Sequence, residues 1–208
     1  MTAKKSMSSR RSILIGLLLV LFLLTAWTAQ HSATMTGWEL TVFRYFYDAS
    51  DKMWLFALGV TQLGSAWALL ALVGVLFVAR WRPEPALVVL RAGFFAYVLS
   101  IVAKYIVGRP RPALLLDTVV TREVIVRGHG FPSTHVALAT AISLALLPYL
   151  PKKLRWLPIV WIGLVAWSRL YLGVHTPLDV LGGFLLGALV ALAAAYSNPS
   201  ARRVNPGR

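Results

Sequence analysis

The chain has no cysteine, which excludes disulfides and thiolate metal sites. Charge is scarce, at 13% of residues, and acid is scarcest, with seven Asp and Glu among 208 residues. So few carboxylates leave no cluster for a pair of divalent ions, and no metal or cofactor is expected. The alternating pattern of a membrane β-barrel is missing. Internal repeats and low-complexity linkers are missing too, which leaves one domain over 1–208. What fills the chain instead is apolar: 58% hydrophobic residues and a mean hydropathy of +0.71. Backbone groups in lipid must be satisfied within their own segment, so such a chain reads as an all-α integral membrane protein.

Six apolar segments are expected to cross the membrane, at about 13–29, 53–79, 86–106, 135–150, 157–172 and 178–196. The first is read as a retained span, because no clean small-x-small site follows it, with a cleaved signal peptide as the alternative that would leave five spans in the same orientation. Basic tails at about 1–10 and 198–208 are expected to be disordered. The formal charge of +14 would suggest nucleic acid in a soluble protein; here basic residues flank spans, and no nucleic-acid partner is expected. Lys4, Lys5, Arg10, Arg11, Arg80, Arg82, Lys152, Lys153, Arg155, Arg202, Arg203 and Arg208 fall on one side of a six-span layout. That side should be cytoplasmic. Arg44, Lys52, Lys104, Arg109, Arg111, Arg122, Arg127 and Arg169 fall on the other, which is too many for topology alone to explain.

Two connections stand apart. The aromatic stretch 37–50 (GWELTVFRYFYDAS) is too short to span and is expected to lie along the outer interface. The stretch 107–132 is a long outer loop, whose Thr118–Val126 part has β character and suits a small hairpin. Gly183-x-x-x-Gly187 in the last span is a small-xxx-small pattern, read as packing within the chain rather than dimerisation.

Three short segments reach the same outer depth: Lys104 to Pro112 (KYIVGRPRP), Pro132 to His135 (PSTH) and Ser168 to Asp179 (SRLYLGVHTPLD). Singly, each has an ordinary explanation. Ser133 or Thr134 suits an N-cap, Thr176-Pro177-Leu178-Asp179 suits a capping box, and Lys104 can snorkel. Together they place Lys104, Arg111, Arg169, His135, His175 and Asp179 where buried charge is costly, and such residues mark a site. Two helix N-termini and three cations would form a cup for an oxyanion, phosphate above all. Asp179, four residues after His175, can orient that imidazole as the acid of a triad does, making His175 a nucleophile for phosphorus. His135 can donate a proton to the leaving oxygen.

Lys104-x6-Arg111-Pro112, Pro132-Ser133-x-His135 and Ser168-Arg169-x5-His175-x3-Asp179 resemble the three-part signature of the type-2 phosphatidic acid phosphatase family, which shares its site with vanadium haloperoxidases. The last motif alone would arise in roughly one random chain of this length in a thousand. The resemblance spans the core 104–179, and the six-span layout resembles the membrane branch of the family. It implies a phosphohistidine at His175, oriented by Asp179, with His135 as acid and then base. It implies that Lys104, Arg111, Ser133 and Arg169 hold the phosphate. Thr134 stands where the family usually has Gly; its backbone N–H is still expected to meet phosphate. His129 lies outside the signature and is read as a solvated loop histidine, with contact to the substrate headgroup as the alternative. The implied activity is metal-independent hydrolysis of a lipid phosphate or diphosphate at the outer face of the plasma (inner) membrane. Undecaprenyl diphosphate is the first choice of substrate. Phosphatidylglycerol phosphate, phosphatidic acid, lipid A phosphate and phosphotransfer to a lipid acceptor stay open.

Overall fold

A computed structural model describes residues 2–32, 34–35, 37–78, 83–123 and 128–197. They form nine α-helices in this order: α1 (Thr2–His31), α2 (Gly37–Tyr47), α3 (Trp54–Gln62), α4 (Ala66–Val78), α5 (Pro83–Val107), α6 (Pro112–Leu115), α7 (Thr134–Leu146), α8 (Leu157–Tyr171) and α9 (Pro177–Ser197). No strand occurs among the described residues. The expected hairpin is therefore not formed over 118–123, where backbone bonds go instead to a turn and to Leu172. Its remaining part, 124–126, lies outside the described residues, as do Arg80, Arg82, Arg127 and the carboxy-terminal tail. At the other end, α1 begins at Thr2, inside the stretch expected to be disordered.

Three helical stretches are long and apolar enough to cross a membrane: 10–31, 84–115 and 177–194. The count is four if α3 and α4 form one broken span. The sequence reads 53–79 as one continuous span, but the chain bends by 55° between these two helices. The cause is close packing. A Cβ on Gly64, in the break, would lie 2.9 Å from the backbone oxygen of His135 and 2.8 Å from Val165. The chain turns there to pass over the start of α7.

Helix α7 is the central element, with nine of its thirteen residues buried. Its composition explains this: small residues such as Ala137, Ala139, Ala141 and Ser143 let neighbouring backbones approach. On α9, a Cβ at Gly183 would sit 2.5 Å from the Ser133 backbone oxygen, and one at Gly187 2.5 Å from that of Ala137. The glycine pattern thus packs α9 on α7 within the chain. Together with α4 and α5, these two helices enclose the main core, around Val89, Leu138, Ile142 and Leu186.

Helix α5 ends where Gly108 takes a left-handed φ of 66° and returns its N–H to the Lys104 carbonyl at 2.9 Å. Pro110 and Pro112 then keep the chain from continuing the same helix. Helix α2 is amphipathic: Glu39, Phe43 and Tyr47 are buried at successive turns, while Trp38 and Tyr45 face outward.

Candidate active site

The sequence expects Thr176 to Asp179 to cap α9, and they do. The Asp179 N–H donates to Thr176 Oγ1 at 3.2 Å, and the Thr176 N–H donates to Asp179 Oδ2 at 2.9 Å. The same Oδ2 lies 3.3 Å from His175 Nδ1. One carboxylate oxygen therefore both closes the helix end and faces the imidazole. Asp179 is fully buried and His175 is 2% exposed. The start of α7 is tied to the same turn, since the Ser133 N–H donates to the Asp179 backbone oxygen at 2.9 Å.

The other ring nitrogen, His175 Nε2, lies 3.5 Å from Arg111 Nη1. This arrangement suits a proton on Nδ1, shared toward Asp179, and a lone pair on Nε2. Burial first, and then the positive charges of Lys104, Arg111 and Arg169, hold the His175 imidazole well below its ordinary 6.5. The ring is therefore neutral at physiological pH.

His175 borders a cavity of about 460 Å³. Lys104, Arg111, Thr134, His135, Arg169 and His175 all line it. Lys104 Nζ donates to the His129 and Gly130 carbonyls at 2.9 and 3.0 Å, which leaves a third proton of the ammonium. Arg111 holds the same loop through Nε to the Gly128 carbonyl at 3.0 Å. Arg169 donates to Thr61 Oγ1 from α3 and pairs with Glu123 at 2.9 Å. His129 also lines the cavity, edge-on to Tyr105, and is half-buried.

Two expectations need correction, a side-chain cap at the start of α7 and a free N-terminus on α9. Ser133 occupies the N-cap position of α7, but its hydroxyl makes no cap bond. It is fully buried, is not among the residues lining the cavity, and finds no partner among the described residues. Thr134 lines the cavity, yet its side-chain oxygen accepts from Ser100 Oγ at 3.1 Å, so its hydroxyl is drawn toward α5. The N-terminus of α9, expected to be free for an anion, is already occupied: the Leu178 N–H donates to Glu39 Oε1 at 3.3 Å.

Glu39 was missed by sequence reasoning, and with it the role of Arg109. Both arms of the Arg109 guanidinium meet Glu39, at 2.9 and 2.8 Å. The signal was present: Glu39 is one of seven acids, set in an aromatic segment, and Arg109 was one of eight unexplained outer cations. Others of those eight are also accounted for by contacts. Arg122 donates to the Tyr47 and Tyr171 carbonyls and stacks on both rings, and Arg44 pairs with Asp48 and Thr118.

The PAP2 superfamily model matches residues 85–203, more than half of the chain. The chain belongs to the PAP2 superfamily. It is 35% identical over 96 residues to an undecaprenyl-diphosphatase of Sulfolobus acidocaldarius, covering 46% of this chain and 47% of that protein. It is 34% identical over 142 residues to a decaprenylphosphoryl-5-phosphoribose phosphatase of Mycobacterium tuberculosis, covering 64% of this chain and 74% of that one. The chain spans about half the length, or less, of the first curated relatives it matches. Among solved structures it resembles the PAP2-type phosphatidylglycerolphosphate phosphatase of Bacillus subtilis. That likeness has a TM-score of 0.72 at 26% identity and covers 93% of this chain and 98% of the other. Aquifex aeolicus LpxE gives 0.72 at 28% identity, covering 77% and 96%. PAP2 membership and these neighbours agree with an all-helical membrane phosphatase fold.

Proposed function

We propose that this protein hydrolyses a lipid phosphate or diphosphate through a phosphohistidine on His175. One observation carries the reading: the two ring nitrogens of His175 face opposite chemistry. Nδ1 is 3.3 Å from the Asp179 carboxylate, and Nε2 is 3.5 Å from Arg111, which lines one cavity together with His175, Lys104, Arg169 and His135. In the first step the Nε2 lone pair attacks phosphorus, and the bond from phosphorus to the leaving oxygen breaks. His135 supplies the proton that the leaving oxygen takes. Lys104, Arg111 and Arg169 stabilise charge on the equatorial oxygens, with the Thr134 N–H at the start of α7 as a further donor. In the second step His135 takes a proton from water, the water oxygen attacks phosphorus, and the N–P bond breaks to release inorganic phosphate and free His175.

The catalytic core is 104–179, within one membrane-embedded domain. The six-span layout is part of this proposal. Helix α7 with its 3-10 extension covers 134–149, about 24 Å at 1.5 Å per residue. That is short for a bilayer, and tolerable where neighbouring helices shield it and lipid thins locally. The site then faces the cell exterior or periplasm from the plasma membrane, where the headgroup of a lipid lies.

Undecaprenyl diphosphate is the first substrate to test, supported by the undecaprenyl-diphosphatase relative. A second reading, a phosphate monoester on a polyprenyl-linked headgroup, is favoured by the relative whose length is 74% covered. The deciding experiment measures phosphate release in detergent, with chelator, from undecaprenyl diphosphate, phosphatidylglycerol phosphate, phosphatidic acid, lipid A and a polyprenyl-phosphosugar phosphate. His175→Ala is the control. Full activity in His175→Ala removes the nucleophile assignment, and complete loss in chelator removes the metal-free mechanism. Added acceptor lipid distinguishes phosphotransfer from hydrolysis by its product.

A further inference from the structure

Arg109 and Glu39 lie behind the cavity, and the reaction as written does not use them. They are 1% and 3% exposed. An isolated buried ion pair of this kind can often be replaced by apolar side chains without loss of stability. Stability alone therefore gives no reason for this one. Its position does. Arg109 Nη1 donates to Thr176 Oγ1 at 2.7 Å and lies 3.6 Å from Asp179 Oδ1. That oxygen makes no hydrogen bond among the described residues. The guanidinium thus sits between two buried carboxylates, one on α2 and one on the first turn of α9.

We propose that Glu39 and Arg109 are a positioning pair that keeps Asp179 ionised and its Oδ2 turned toward His175 Nδ1. The proposal rests on reading His175 as the nucleophile and Asp179 as its orienting acid. Two carboxylates this close in a dry interior do not both stay charged without a cation, and Arg is the cation that cannot lose its proton. Glu39 has the complementary part. By taking both arms of the guanidinium it stops Arg109 from closing on Asp179 and drawing it away from the imidazole. Through the Leu178 N–H it also fixes α2 to the turn that carries Asp179. Among the described residues, the charged and titratable groups that act on the His175–Asp179 couple include Arg109, Arg111, Lys104, Glu39, Arg169 and His135.

The test uses the full chain in detergent, the most active lipid of the panel, kcat and KM from pH 5 to 8, and inhibition by orthovanadate. Arg109→Met removes the charge at similar volume. Its kcat is expected to fall at least tenfold, and the acid limb of the profile to move up by at least one pH unit as Asp179 takes a proton. KM and the vanadate inhibition constant should change less than threefold, whereas general damage to the fold would weaken both. Adding Glu39→Gln removes the second carboxylate, and should move the limb at least halfway back. Glu39→Gln alone should move it down by at least half a unit. An unshifted limb in Arg109→Met, or a double variant no different from the single one, overturns the proposal. If Arg109→Met does not fold, Glu39→Gln decides, and an unmoved limb there overturns it. His175→Ala in parallel separates the two readings. If it stays active, the nucleophile assignment fails; if it is dead and the limbs are unmoved, only the positioning pair fails.

Discussion

His175 Nδ1 and Asp179 Oδ2 stand 3.3 Å apart, and the same Oδ2 accepts the Thr176 N–H that closes the first turn of α9. Helix geometry and catalytic geometry are therefore set by one oxygen. Asp179→Asn should keep the turn, through its remaining amide oxygen, but lose the charge that favours a proton on Nδ1. A fall in kcat of about 10³ to 10⁴-fold is expected, with KM changed little, by analogy with other orienting acids. Steady-state kinetics on the best lipid of the panel checks this. A fall in kcat below tenfold would argue that Asp179 is only a cap.

The depressed basicity of His175 has a consequence for stability. Its imidazole is held neutral in the fold, whereas in the unfolded chain it titrates near 6.5. Below pH 6.5 the unfolded state binds more protons, so stability rises with pH there and is lost as pH falls. The contribution is complete above pH 6.5. It declines by at most about 1.4 kcal/mol per unit below that value, until the folded value is reached. The melting temperature of His175→Gln, measured in detergent, should therefore gain on that of the wild type between pH 6.5 and 5. A constant difference across that range would contradict this.

Gly187 and Gly163 are both helical glycines with opposite surroundings. A Cβ at Gly187 meets the Ala137 backbone oxygen at 2.5 Å and Thr140 at 2.7 Å, while one at Gly163 meets nothing within 4 Å. A backbone oxygen cannot rotate away. Gly187→Ala should destabilise by about 1–3 kcal/mol through forced separation of α7 and α9. Gly163→Ala should be neutral, or stabilising by up to about 1 kcal/mol. Thermal or denaturant unfolding of both variants, side by side, measures the contrast.

Gly130 bears on chemistry rather than packing. A Cβ there would lie 2.8 Å from Asp179 Oδ2 and 3.1 Å from the Pro110 backbone oxygen. Gly130→Ala pushes the carboxylate away from its 3.3 Å station beside His175. A misplacement of about 1 Å can cost on the order of 10²-fold in rate. The expected result is a fall in kcat of at least tenfold, with vanadate inhibition kept within threefold.

Thr134 offers a variant expected to be tolerated. Its hydroxyl is engaged by Ser100, and the contact expected with phosphate comes from its backbone N–H. Thr134→Gly should hold kcat within tenfold of wild type. A larger loss would place the side chain itself in the reaction.

Local features were legible in the sequence. Apolar runs marked α1, α5 and α7 to α9 to within a few residues, except that α1 extends back to Thr2, because hydropathy is a property of consecutive residues. The Thr176–Asp179 box and the His175–Asp179 contact were legible because residues three and four apart meet on any helical turn. The glycines of α9 announced a close helix neighbour, and α7 is that neighbour.

What the tertiary structure decided is everything carried by contacts between distant segments. Glu39 meets Arg109 across 70 residues and Leu178 across 139, and no local pattern ties a residue of an amphipathic surface helix to the start of another helix. The bend at Gly64 exists because the backbone of His135 comes within reach of it. Ser133 carries the right identity for a phosphate ligand, but it is the seating of α7 against α9 that binds its N–H to the Asp179 backbone and buries its hydroxyl with no partner among the described residues. By itself the sequence determined which residues could do chemistry. The packing of α2, α7 and α9 decided which face the cavity and which stand behind it, because a side chain's direction depends on how whole helices dock.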